Sequence, residues 1–258
     1  MSAISGRFWR VWRRNLAVYR QNWMVSFLTP MLEPFLYLLA FGVGFSRLVG
    51  DVPYGGVTVS YTLFLAPALV AMTVMNNAFF ENTYGSFVRM YYQKTFDAMM
   101  ATPLTVSEII TGEIVWGATK AVIATAIMLL VISLFGLLRW PEAILLLPLA
   151  FLGGIAFGSV GMIFTAVTPH IELFNLPFFL FITPMYLFGG TFFPLEALPE
   201  WARYAALVMP LTHLVNVTRA LCIGFADLSA LWGLLYFLVF AAVAYPLALR
   251  LMYRRLVK

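Results

Sequence analysis

Six stretches of about twenty mostly apolar residues follow one another along this chain, and their recurrence leaves few folds open. They fall at residues 24–45, 61–82, 113–137, 143–167, 173–193 and 228–252. A bilayer's hydrocarbon core is about 30 Å thick, which a helix crosses in about 20 residues. Lipid offers no hydrogen bonds to backbone, so a spanning segment must be a helix or part of a closed barrel. The alternating ten-residue segments of barrel strands are not seen. The expected fold is therefore all-α integral membrane: six transmembrane helices forming one domain over residues 1–258. Composition agrees, with 62% hydrophobic and 10% charged residues, against about 25% charged in a soluble domain. A cleavable leader is not expected, because arginines continue to Arg20 and no small-residue cut site follows the first run.

Lysine and arginine set the orientation. Twelve of the 16 fall on the side of the two termini, and four, Arg47, Arg139, Arg203 and Arg219, fall on the other. Both termini are therefore expected in the cytoplasm. The net charge of +5 is mostly this topology signal, and nucleic-acid binding is not expected.

Three segments outside the runs carry information. In residues 6–23, Phe8, Trp9, Trp12, Leu16, Tyr19 and Trp23 share one helical arc, with Arg7, Arg10, Arg13, Arg14 and Arg20 opposite. An interfacial amphipathic helix fits this pattern, with Trp9, Trp12, Arg13 and Trp23 as its lipid anchors. A plain basic topology anchor is the alternative.

The cytoplasmic connection, residues 84–112, contains a short amphipathic piece: Thr95, Phe96, Asp97, Ala98, Met99, Met100 and Ala101. Thr102 and Pro103 break it, because the residue before proline avoids helix. Thr105 with Glu108 forms a capping box that starts the next helix. Exposed Phe96, Met99 and Met100 need a cover. Either a partner supplies it, since methionine suits an adaptable surface, or they fold back on the helix ends or dip into lipid.

The outer segment, residues 194–227, holds two apolar helical pieces, 199–209 and 211–223, split by Pro210. Each reaches about half the bilayer. A re-entrant pair covered by protein fits best.

Catalytic chemistry is not expected. There is no G-x-x-x-x-G-K-[ST] loop, so the chain holds no nucleotide site of its own. Cys222 is alone, and His170 and His213 fall on opposite sides, so neither a disulfide nor a metal site is expected. Glu33 lies near the middle of the first run, where a charge is costly and must face the bundle or a cavity. It either serves a transport route or orders packing. Lys120 can snorkel to the interface. Asn76, Asn77, Glu81 and Asn82 line a cavity or bond to neighbouring helices. The fifth run is aromatic, with Phe174, Phe178, Phe179, Phe181, Tyr186 and Phe188 either packing or meeting a ligand. No chain of acids or histidines crosses the membrane and no internal repeat is evident, which weighs against a secondary carrier. An ATP-independent channel or carrier remains the alternative function.

Four stretches carry a family likeness: EPFLYLLAFGVGF, FDAMMATPLTVSEIITGEI, PMYLFGGTFFPLEALPEWA and PLTHLVNVTRAL. Through them the whole chain resembles the ABC type-2 exporter permeases, nearest the branch that exports nodulation lipo-oligosaccharides. The resemblance implies a bacterial cytoplasmic-membrane protein that works as a homodimer with two separate ATPase subunits, which hold the ATP and magnesium. It implies that Thr95 to Ala101, with Pro103 behind, is the coupling helix docking on the ATPase, and that residues 199–223 cap the route, with Trp201, Pro210, His213 and Arg219 as the outer gate. The route would run at the dimer interface past Glu33, Asn76, Asn77, Phe178, Phe181, Met185 and Phe188. The cargo implied is amphipathic: a lipid-linked saccharide, a glycolipid or a hydrophobic drug.

Overall fold

The computed structural model describes residues 5–21, 24, 32, 35–45, 50–54, 56–224 and 228–257, with backbone alone at 42, 43, 45, 228 and 229. The chain is helical almost throughout. Helix α1 is Phe8–Gln21. α2 is Tyr61–Tyr92, α3 Thr95–Met100, α4 Val106–Leu134, α5 Glu142–Val167 and α6 Ile171–Phe188. α7 is Glu200–Val208, α8 Pro210–Ile223 and α9 Leu228–Leu256. Before α2, a wide helical turn covers Leu38–Phe45. The all-α expectation agrees with this, and one small antiparallel hairpin of β1 (Asp51–Tyr54) and β2 (Val57–Ser60), which pairs Asp51 with Ser60, adds to it.

Among the described residues, five helices are long and apolar enough to cross a membrane: α2, α4, α5, α6 and α9 from Ala230. The expected first span, 24–45, lies in large part outside the described residues, as do Glu33 and Trp23. α7 and α8 meet at 86° across Met209. A 14-residue helix such as α8 rises about 21 Å, short of the hydrocarbon thickness.

Several boundaries move. α2 runs ten residues past its expected end at 82, and α4, starting at Val106 behind the expected cap, is continuous into the apolar run that begins at 113. The connection expected at 84–112 shrinks to 93–105. The cause is polar satisfaction: Glu81, Ser86 and Arg89 of α2 find partners on α4, so helix persists beyond the apolar run. Wide π-type turns at Glu81–Gly85 and Val88–Tyr92 accommodate those contacts. α4 begins at the expected box, with Thr105 N donating to Glu108 Oε2 at 2.8 Å and Glu108 N to Thr105 Oγ1 at 3.3 Å. α6 stops at Phe188, five residues early, because Gly189 and Gly190 follow and Gly190 takes φ +69°.

α5 is the central post, packed on α2, α4 and α9. Small residues bring the backbones together, as lipid-embedded helices require. A Cβ at Gly154 would lie 2.5 Å from Ala118 Cα. Asn82 of α2 wedges between Gly117 of α4 and Gly158 and Gly161 of α5. Its carbonyl accepts the Thr165 hydroxyl at 2.7 Å.

Candidate functional site

The polar chemistry of the molecule concentrates where α1, α2 and α4 meet, at the end that carries α3. Glu113 lies two turns into α4, its side chain fully buried. It accepts from Asn15 Nδ2 at 2.8 Å, Ser86 Oγ at 2.9 Å and Arg89 Nε at 2.8 Å, and Arg89 Nη2 closes an ion pair at 2.6 Å. Arg89 also meets Glu81 at 2.7 Å. Glu81 in turn takes Lys120 Nζ at 2.8 Å and Trp116 Nε1 at 3.1 Å. Charges survive burial when they are both paired and hydrogen-bonded, and every member here is. Lys120 is therefore not a free snorkelling cation, and Glu81 bonds to neighbouring helices. Arg89 falls in what reads as a loop and Glu113 at the first position of the third run, so the sequence gives neither a partner. The available signal was spacing: Glu81 and Arg89, like Glu113 and Lys120, stand about two turns apart on one face with opposite signs.

α1 lies against α4 through Val11 and Asn15, both buried. Gly112 makes the approach possible, since a Cβ there would sit 2.6 Å from Val11 Cβ and 2.8 Å from the Phe8 carbonyl. Trp12 Nε1 donates to Thr119 Oγ1 at 2.9 Å, and Tyr19 meets Trp116 edge-on at 5.5 Å. The aromatic arc is thus divided. Trp12 and Tyr19 turn to protein, while Trp9, stacked on Trp12 at 4.0 Å, stays outward with Arg13.

α3 hangs on Phe96, which is 0% exposed among Phe87 of α2, Ile109 and Ile110 of α4, Phe174 of α6 and Met252 of α9. The fold-back alternative therefore holds for Phe96, which cannot be a direct docking contact. Thr95, Met99 and Met100 are half-buried, whereas Asp97, Ala98, Ala101 and Pro103 are exposed. The N-terminal arm braces this tip: Arg7 Nη1 donates to the Pro103 carbonyl at 3.0 Å, and Ser5 bonds to the Glu108 carboxylate.

Glu33 lies outside the described residues, and the other residues expected along a route make packing contacts within this single chain. Tyr186 donates its hydroxyl to Asn76, and Asn77 Nδ2 donates back to the Thr73 carbonyl at 2.9 Å. Phe178 meets Phe80 at 5.8 Å, Phe181 meets Phe79 at 6.2 Å, and Met185 is buried. Phe188 meets Trp201 at 5.9 Å. The opposite face of α6 is bare, with Phe179, Leu180 and Leu187 exposed.

Of the four outer residues, Arg219 departs most from expectation. It reads as an outer topology charge, yet it is 2% exposed. Its Nε donates to the Phe64 carbonyl at 3.1 Å, and Nη2 to those of Gly190 and Thr191 at 2.6 and 3.2 Å. Its guanidinium lies 3.6 Å from the Phe64 ring centre, a cation–π contact that offsets part of the burial. His213 stacks on Tyr236 at 3.9 Å. Trp201 is exposed, and Pro210 opens α8.

Comparison with known proteins agrees with this layout. The ABC-2 type transporter family profile matches residues 6–223. Nodulation protein J of Rhizobium leguminosarum bv. trifolii is 36% identical over 248 residues, covering 96% of this chain and 93% of that protein. Nodulation protein J of Rhizobium meliloti is 36% identical over 214 residues, 83% of this chain and 80% of the relative. The inner membrane transport permease YadH of Escherichia coli is 24% identical over 248 residues, 95% of this chain and 93% of the relative. With five apolar spans, a broken helix pair and a match over most of its length, the chain is a multi-pass membrane protein that belongs to the ABC-2 type transporter family.

Proposed function

We propose that this chain is the permease subunit of an ATP-driven exporter, acting as a homodimer with two copies of a separate ATPase that supplies the nucleotide and magnesium chemistry. The observation that carries the proposal is the construction of α3. Phe96 roots it in a cluster shared by α2, α4, α6 and α9, while Asp97, Ala98 and Ala101 face outward. A short helix held from behind and bare in front passes a push to the end of α2 and to α4, on which it packs.

The remaining assignments follow from the same arrangement. The lysine and arginine bias supports cytoplasmic termini in a bacterial inner membrane. Trp9 and Arg13 on α1 face the lipid–water boundary. The α7–α8 pair is a re-entrant cap that Arg219 ties to α2 and to the end of α6. The bare face of α6 meets the second copy, and the route lies between the copies beside α2, α6 and the 24–45 segment with Glu33. An aromatic route with few charges suits an amphipathic cargo: a lipid-linked saccharide, a glycolipid or a hydrophobic drug. The resemblance to the nodulation lipo-oligosaccharide branch favours the glycolipid.

Asp97→Arg reverses the charge on the bare face, and Met100→Glu adds one at its half-buried edge. The combined variant is expected to abolish ATPase co-purification or transport while the permease still inserts. Full ATPase stoichiometry and full transport in that variant would refute the proposal. Flux through the purified chain with no ATPase, under an ion gradient alone, would favour a channel or carrier instead.

A further inference from the structure

A cavity of 440 Å³ opens between α1, α2 and α4, lined in part by Arg14, Tyr19, Glu81, Arg89, Trp116 and Lys120. Its depth follows from the helices. The apolar run of α2 ends at Phe80, about 30 Å from Tyr61 at ~1.5 Å per residue. The charge-free part of α4 begins just after Lys120. The cavity therefore sits at the headgroup level of one leaflet, the depth at which Trp and Tyr also concentrate.

Three cations and one carboxylate line it. Arg89 and Lys120 are already satisfied by Glu81 and Glu113. Arg14 is not: its Nη1 donates to Asn15 Oδ1 at 2.9 Å, and among the described residues it has no ion-pair partner. Burial lowers its pKa, the more distant charge of Glu113 works against that, and Arg89 adds to it. A half-buried guanidinium without a carboxylate, beside a second cation and two interfacial aromatics, is a receptor for an oxyanion. Arginine's planar fork suits phosphate in particular.

We propose that this cavity holds the phosphoryl group of a membrane phospholipid, with Arg14 as its principal ligand and Lys120, shared with Glu81, as the second. The phosphate bridges α1 to α4, so the lipid completes a junction that the protein leaves one anion short. Which leaflet supplies it rests on the proposed orientation, which makes it the cytoplasmic one. The recognition itself does not depend on that.

The test uses the purified full-length chain in neutral detergent and reads its thermal midpoint. Phosphatidylglycerol at a hundredfold excess over its Kd is expected to raise the midpoint by about 5–10 °C. Diacylglycerol with the same tails should not. Arg14→Gln should lose most of that rise, Arg14→Lys should keep part of it, and Arg203→Gln, at an exposed arginine on α7, should keep all of it. An equal rise with diacylglycerol, or a full rise in Arg14→Gln, overturns the proposal. Inorganic phosphate reproducing an Arg14-dependent rise would overturn lipid as the source of the anion. Should Arg14→Gln fail to fold, the lipid comparison on the wild-type chain and on Arg14→Lys decides.

Discussion

Replacing Glu113 by alanine tests whether the charged junction holds α1, α2 and α4 together. Its carboxylate accepts four donor atoms from three residues. Breaking a buried ion pair from one side costs about 3–5 kcal/mol. Arg89 keeps Glu81 at 2.7 Å, which places the loss at the lower end of that range. Ser86 can turn to the Glu81 carbonyl, already 3.4 Å away, and the neighbouring cavity admits water to Asn15. A loss of about 3 kcal/mol follows. At roughly 2–4 °C per kcal/mol for a chain of this size, the thermal midpoint should fall by about 6–12 °C. Glu113→Gln keeps the shape and one acceptor, and should fall about half as far. Arg89→Met with Glu113→Leu removes both charges, so it should cost less than the two single changes added together. Intrinsic tryptophan fluorescence of the purified protein on heating measures all of these. A fall below 2 °C for Glu113→Ala, or a double variant as damaged as the sum of its parts, would refute the reasoning.

Two further expectations concern packing. Gly154→Leu places a side chain against the Ala118 backbone, which cannot yield. Overpacking of about 2–3 kcal/mol should lower the midpoint by roughly 4–12 °C, and an unchanged midpoint would mean that α4 and α5 are not in contact there. Phe96→Ala removes the root of α3, and large-to-small changes of this kind cost about 3–5 kcal/mol where the site cannot collapse. The loss is local, so limited proteolysis within 93–105 should speed up markedly while the spans stay intact. Cleavage at the wild-type rate would show that α3 is held by something other than Phe96.

Most of the architecture is legible in the sequence because hydrophobic run length is a local property and lipid penalises any other use of it. The Thr105–Glu108 cap and the break at Pro210 were equally local, and both stand where expected. What the sequence hid was polar satisfaction across helices. Arg89 reads as a loop residue until Glu113, 24 positions away, is seen to receive it. Arg219 reads as an outer topology charge until three carbonyls from two distant segments converge on it. Phe96 reads as an exposed contact because its cover comes from residues distant in the sequence. α1 shows the same limit on a smaller scale: its periodicity gave an aromatic face, but only Gly112 decides which aromatics turn inward.

The wedge of Asn82 has a mechanical consequence. It is a point where α2 is gripped from two sides, by α4 and by α5, at backbone distance. At about 1.5 Å per residue, roughly 15 Å of α2 extends from that grip towards α3, and roughly 32 Å extends towards the hairpin. A rod pivoting there has unequal arms, so a tilt delivered at the short end sweeps about twice as far at the long one. Under the proposed function, a small stroke beside α3 would become a wider parting at the far face of the membrane.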